Sequence, residues 1–370
     1  MKKLLIASAV SAAFAAPTVA LAQAARAPTL SQVLDASGIS MSGYLDVGYT
    51  RADKNIGGGP GVSTRVFDSQ NNSFALHQFG LSVSKLPRQG FGGLVNVTVG
   101  SDAQVIHSFP EPAGGGSMFD VTQAYAQYAG RELTLIAGKY ATLHGTEVIW
   151  SPSNTNVSRS ILFGAIPFTH TGVRATWALS DTVSLIGGVN NGWDQVTDRN
   201  RDKTVELGAT FNPIRPLNIS VSAYSGKEPA GTGGVEPRTS INAVGSYNIN
   251  RALSVGAELL NVSQDVPAGG GATTSKKYTG LAGYGSYMFA PRLRGVARVE
   301  QFDDKDGLHF GVAGTKYREL TATGAYLASD SFEARAELRQ DQATNAVFRD
   351  FNGATSKTQM TIAVQGLYKF

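Results

Sequence analysis

Phe332-Glu333-Ala334-Arg335-Ala336-Glu337-Leu338-Arg339-Gln340-Asp341 puts its charged side chains on one parity and Phe332, Ala334, Ala336 and Leu338 on the other. Alternation with a period of two is the signature of a strand whose faces meet different media. An Arg or Lys facing lipid at the midplane costs about 2 to 4 kcal/mol. The face carrying Glu333, Arg335, Glu337, Arg339 and Asp341 must therefore line water or protein, and its opposite can meet hydrocarbon. The same division recurs upstream. Arg294, Arg298 and Glu300 oppose Leu293, Ala297 and Val299; His170 and Arg174 oppose Val173, Ala175 and Trp177. Glu206 opposes Val205, Leu207 and Phe211, and Arg238 opposes Ile241, Ala243 and Tyr247. The windows holding Lys139 and the adjacent Arg318-Glu319 alternate less cleanly.

Alternating windows fall at 40–51, 74–85, 91–100, 119–130, 131–141, 168–179, 182–191, 203–212, 217–225, 238–248, 252–262, 277–289, 292–302, 316–328, 331–341 and 357–370. Most have about the 9 to 11 residues that a tilted membrane-crossing strand needs. Their connections alternate between tight turns, such as Ser180-Asp181, Ile249-Asn250 and Ala290-Pro291, and long segments rich in Gly, Asp, Asn or Ser. Short turns at one end and long loops at the other predict a transmembrane antiparallel β-barrel of about sixteen strands. An even strand number brings both ends of residues 40–370 to the short-turn, periplasmic side. A soluble sandwich gives no reason for this asymmetry.

The start of the chain fits an exported protein. Lys2-Lys3, an apolar run to Ala16 and the small-residue site Ala20-Leu21-Ala22 predict a secretory signal over 1–22, followed by a polar periplasmic lead over 23–39 with a helical turn near Leu30 to Leu34. Losing the signal lowers the formal charge from +4 to +2, and no basic run marks a nucleic-acid partner. The chain has no cysteine, which excludes disulfides and thiolate-metal chemistry.

The third long segment, 142–167, has no sustained hydrophobic rhythm and is the longest of the loops. A loop of that length without regular structure is uncommon unless it is functional. A barrel of sixteen strands is wide enough for an aqueous channel. At roughly 3.3 Å per residue the loop can reach the midplane and return. It is expected to fold into the lumen, with Glu147 and Arg159 facing the wall arginines across a constriction; an outward lid is the alternative. Arg174, Arg238, Arg294, Arg298, Arg335 and Arg339 against Glu206, Glu258, Glu300, Glu333 and Glu337 are candidates for an ion-selecting screen. A self-neutralising network that only solvates the interior is an equal reading.

Other chemistry is less well supported. Asp198, Asn200 and Asp202 lack the glycine and distal glutamate of an EF-hand loop, so neither metal nor cofactor is expected. Trp193 is read as part of an interfacial aromatic belt. A hydrolase would have to use His170 with Ser158 or Ser160, and no nucleophile elbow or linked acid accompanies them. An adhesin would use the glycine-rich outer loops, which specify no partner.

Ser42-Gly43-Tyr44-Leu45-Asp46, Gly145-Thr146-Glu147-Val148, Ser158-Arg159-Ser160, Pro167-Phe168-Thr169-His170-Thr171-Gly172-Val173-Arg174, Asn191-Gly192-Trp193-Asp194, Arg298-Val299-Glu300 and Arg335-Ala336-Glu337-Leu338-Arg339 resemble the OmpL-like β-barrel porin-2 family. The likeness runs over nearly all of the chain after the leader. Family members often carry Tyr where Thr146 stands, so no role for that ring is transferred. The resemblance implies a passive pore for ions and small hydrophilic solutes in a Gram-negative outer membrane. The final strand, ending at Tyr368 and Phe370, resembles the signal read by the barrel-assembly machinery. General porins, the neighbouring family, are homotrimers; their acidic constriction motif is not evident here.

Overall fold

All sixteen predicted strands are present and close on themselves. The computed structural model describes residues 29–56, 62–111, 116–230 and 234–370, so the predicted signal lies outside the described residues. The N-terminal unit holds helix α1 (Leu30–Ser37). Its start is a capping box: Thr29 Oγ1 accepts from Gln32 N (3.3 Å) and Gln32 Oε1 accepts from Thr29 N (2.9 Å).

The barrel runs through β1 (Ser40–Ala52), β2 (Ser73–Lys85), β3 (Gly90–Val99), helix α2 (Ala103–Ile106), β4 (Phe119–Ala129) and β5 (Leu133–Ala141). After helix α3 (Ile161–Gly164) come β6 (Thr169–Ala178), β7 (Val183–Asn190), β8 (Thr204–Phe211), β9 (Leu217–Ala230) and β10 (Gly234–Asn248). β11 (Leu253–Gly269), β12 (Ala272–Ala290), β13 (Leu293–Asp304), β14 (Thr315–Leu327) and β15 (Phe332–Ala343) follow. A small hairpin, β16 (Phe348–Arg349) and β17 (Thr355–Ser356), sits in the last long loop before β18 (Thr358–Lys369). Each barrel strand pairs antiparallel with its neighbours, and β1 closes on β18 from Tyr44↔Lys369 to Ala52↔Thr361.

Face assignments follow the charges. Leu338, Leu320, Val299 and Ile362 are more than half exposed on the outer surface, whereas Glu337, Arg298 and Thr361 are buried inside. Outward residues turn polar towards one end of the wall, as the registers Asn261↔Thr279, Gln301↔Arg318 and Arg318↔Gln342 show. That change marks the outer edge of the hydrocarbon. It explains the untidy Arg318-Glu319 pair, for Arg318 points outward above the lipid and Glu319 inward. At the opposite end Phe91, Tyr128, Trp177, Tyr247, Phe289, Tyr326 and Phe370 are exposed and form an aromatic girdle.

Hairpins β9–β10 and β11–β12 continue beyond the predicted ends, shrinking their loops. The ladder needs no lipid to persist, because each added residue pair satisfies its own main chain. Gly269, Gly270 and Gly271, at φ +89°, +60° and +80°, turn the longer hairpin in the left-handed region that a side chain resists.

Candidate functional site

The segment between β5 and β6 enters the barrel with a fold of its own. Asn154 Oδ1 accepts from Val148 N (2.9 Å), and its Nδ2 donates to Val148 O (2.8 Å) and Trp150 O (2.7 Å). Ser160 caps α3 by accepting from Phe163 N (3.0 Å). The Arg159 guanidinium donates to Val148 O (3.0 Å) and Ile149 O (2.9 Å) and lies against the rings of Phe67 and Phe163. Gly145 sits at φ +96°, and a Cβ there would come within 2.6 Å of Ile166 Cδ1.

The wall then grips the main chain of this loop. Leu143 N donates to Tyr224 Oη (2.7 Å), Gly145 N to Asn242 Oδ1 (3.0 Å) and Thr146 N to Glu258 (2.9 Å). Glu337 accepts from Val157 N (2.7 Å) and Ser158 N (2.9 Å), and Glu300 accepts from Ile161 N (2.8 Å) and Leu162 N (2.6 Å). Arginines take the carbonyls: Arg335 donates to Asn156 O (3.1 Å), Arg298 to Ser158 O (2.8 Å) and Arg339 to Arg159 O (2.5 Å). Across the lumen Gln78 on β2 donates to Ile149 O (2.9 Å), and Trp150 Nε1 donates to Asn96 on β3 (2.9 Å). Irregular backbone removed from water must find such partners, and the charged wall supplies them.

Glu147 meets a wall arginine as expected, but in direct contact and not across a gap, whereas Arg159 does not face the wall arginines. The Glu147 carboxylate touches Arg298 at 2.7 Å, and the Arg159 side chain turns into its own loop and offers the wall only its carbonyl. The carbonyls of Val148, Ile149 and Val157 supply the Arg159 guanidinium with acceptors inside the loop, in place of a wall carboxylate. Most of the remaining lumen arginines also meet carboxylates; Arg238 instead donates to Gln264 Oε1 (3.0 Å) and lies over the Trp193 ring. Arg174 binds Glu206 at 2.6 and 3.0 Å over the ring of Tyr140; Arg335 and Arg294 share Glu333; Arg339 binds Asp341 at 2.7 Å. Arg298 and Glu206 are wholly buried, and of the predicted arginines only Arg238 and Arg294 keep partial exposure.

Sequence reasoning missed Glu319, which Arg298 meets at 3.0 Å, and His144, whose ring nitrogens lie 2.7 Å from Ser222 Oγ and 2.9 Å from Ser240 Oγ. Lumen parity was the available signal for Glu319. His170 is fully buried, 3.0 Å from Gly192 O and stacked on Tyr224; Ser158 contacts Arg298 and Arg339 instead. Trp193 is not in the aromatic belt: it packs in the interior beneath the Arg238 guanidinium, because Glu228 inside the barrel binds its main-chain N–H (3.1 Å).

The lumen is thus in two parts. Its outer half is filled by an apolar cluster that joins Phe67, Ile106, α3, Phe302, Tyr317 and Phe348 from the loops and wall. Its periplasmic half is an accessible vestibule lined by Gln123, Gln127, Thr176, Ser246, Ser254 and Ser286. The loop is the partition between them.

A family model described as beta-barrel porin-2, OmpL-like matches residues 38–370. Among curated proteins none matches. Similar solved structures include the outer-membrane channel DcaP of Acinetobacter baumannii, 13% identical, covering 90% of this chain and 97% of that one with a TM-score of 0.64. An anion-selective porin from Comamonas acidovorans is 11% identical over 90% of this chain and 99% of its own, with a TM-score of 0.62. OmpT of Vibrio cholerae in its trimer form is 11% identical over 90% and 99%, with a TM-score of 0.60. These likenesses concern the fold, while the family match covers the whole barrel. The chain belongs to the beta-barrel porin-2, OmpL-like family, whose barrel is a channel of the Gram-negative outer membrane.

Proposed function

We propose that ions and small hydrophilic solutes cross this channel by passive diffusion, with residues 142–168 setting the bore. The observation that carries this is the loop's double attachment, to Glu258, Glu300 and Glu337 on one wall and to Gln78 and Asn96 on the other. A segment fixed at both sides of a barrel limits what passes. The field on a passing ion comes mainly from Arg238 and Arg294, the predicted lumen arginines that keep partial exposure, while Glu258, Glu300 and Glu337 are buried on main-chain N–H groups of the loop. The reading includes no catalysis: the family is one of porins, and His170, the histidine offered for it, is engaged with Gly192 O and the Tyr224 ring. It also includes a homotrimer, supported by the trimer form of the similar OmpT, and assembly-machinery recognition of Tyr368 and Phe370.

The test is single-channel conductance of the refolded protein in a planar bilayer beside a variant lacking residues 154–160. That deletion removes the main-chain groups held by Glu337, Arg335, Arg298 and Arg339. Larger steps in the variant support a bore set by the loop. Absence of conductance in both folded barrels overturns the diffusion reading.

A further inference from the structure

Beneath the loop, on the vestibule side, lies a recess of about 240 Å³ between Thr146, Glu147 and 153–156 of the loop and the inner faces of β10 to β13. Its wall offers Ser246, Asn248, Ser254 and Ser286, small hydroxyl and amide side chains that face the accessible lumen instead of joining the loop clamp. From above come the exposed Ser153 and the half-exposed Thr155, whereas Asn156 is buried and donates to Thr323 Oγ1 (2.7 Å). The recess has one carboxylate, Glu147, and both of its oxygens are occupied: Oε1 by Arg298 (2.7 Å) and Oε2 by Ser160 N (2.6 Å). In a lumen dense with ion pairs, this is a neutral pocket rich in uncommitted donors and acceptors. Tyr284 and the bare backbone of Gly256 add an apolar patch.

We infer that this recess is a binding station for a small neutral polyhydroxylated solute, of the monosaccharide or polyol class. A solute of that class carries donors and acceptors around its edge and C–H surface on its faces, which matches hydroxyls and amides around a tyrosine and a glycine. An ion gains nothing here, because it would shed water without meeting an unpaired opposite charge. The volume falls just below the roughly 300 to 1,000 Å³ of pockets for drug-sized ligands, so the fit is to one ring or a short open chain. The inference names the solute class for the proposed channel, and its flux consequence rests on that reading; binding itself does not.

Gly256 allows a clean perturbation. A Cβ there would meet Gly245 O at 3.4 Å and Tyr284 Cβ at 3.8 Å, which are ordinary contacts, so Gly256→Leu fills the recess without forcing the backbone. Asn248→Leu removes an amide at its rim. The experiment pairs calorimetric titration of the refolded barrel with glucose and sorbitol against ion-current block by the same solutes added on the periplasmic side, with a poly(ethylene glycol) of equal size as control. The expected result is roughly millimolar binding and concentration-dependent block by glucose or sorbitol, weakened at least tenfold in Gly256→Leu and in Asn248→Leu, with little block by the polymer. Conduction with no sugar binding, or with binding unchanged in both variants, overturns the inference and leaves the diffusion reading intact. Binding lost in both variants from a barrel that does not conduct supports the station and overturns diffusion instead.

Discussion

Replacing Arg298 by methionine should loosen the partition while leaving the barrel folded. The guanidinium is fully buried and makes three kinds of contact: to Glu147 (2.7 Å) and Ser158 O (2.8 Å) and Oγ (3.0 Å) on the loop, to Glu319 (3.0 and 3.2 Å), and to Thr321 (3.4 Å). Removing one member of a buried, hydrogen-bonded pair costs about 3 to 5 kcal/mol. Glu319 keeps Arg339 Nε at 3.8 Å, which offsets the wall's share, so the lower end applies to the loop. About 3 kcal/mol corresponds to roughly a hundredfold rise in the population with the loop detached. The assay is single-channel recording: methionine should give excursions to a larger conductance about a hundredfold more often, and lysine, which keeps the charge but not the fork, an intermediate frequency. Adding Glu147→Gln to the methionine variant should change little more, because that carboxylate is already stranded. Identical amplitudes and dwell times for wild type and a folded Arg298→Met barrel would refute the idea that this arginine holds the loop.

Other outcomes follow from the same structure. Arg294→Gln, which removes a partly exposed positive charge beside Glu333, should move the reversal potential in a salt gradient towards cation preference, whereas Arg174→Gln, whose charge is buried against Glu206, should move it little. Burial pushes the Asp194 carboxyl up to about 7, reinforced by Glu228 and opposed by the N–H groups of Thr169 and Phe168 and by Lys139. Its folded value lies above the ordinary one of roughly 4, so its stabilising contribution is present in acid and lost as pH rises through 7. Thermal melting of the folded barrel should fall from about pH 4 to about pH 7 and level off above it, and Asp194→Asn, which keeps the acceptor for Phe168 N and Thr169 N, should flatten that slope. Gly145→Ala should disorder the start of the loop through both φ and the Ile166 contact, raising current noise without lowering barrel yield. Truncating Phe370 removes the main-chain pair it makes with Gly43 (2.9 Å each way) and should reduce the folded fraction in membranes more than the conductance of what does fold.

The barrel was legible because lipid is an unforgiving solvent: a run such as Glu333 to Asp341 admits one orientation, and its neighbours must agree with it. Loop length told where the interior was obstructed. Partner choice was hidden, since lumen parity says only that a charge avoids hydrocarbon. Glu300 finds the N–H groups of Ile161 and Leu162, well over a hundred residues away, and a main-chain donor leaves no mark in a sequence. The two unclean strands had local causes. Arg318 stands above the hydrocarbon edge, and Gly138 at φ +135° breaks the alternation one residue before Lys139, which pairs with Asp120 at 3.2 Å. The outer apolar cluster was invisible for a different reason: it joins inward side chains at the ends of several strands to residues of loops too short to show a pattern.

The grip on the partition by its peptide groups bears on how such a channel can change over generations. Glu258, Glu300, Glu337 and Arg335 hold amides and carbonyls that every residue type except proline provides. Side chains at 146, 153 and 155 can therefore be exchanged while the anchoring survives, so the transport phenotype is free to drift faster than the scaffold that carries it. A directed library at those three positions, screened for growth on alternative nutrients, would sample new preferences from a population that is still almost entirely folded.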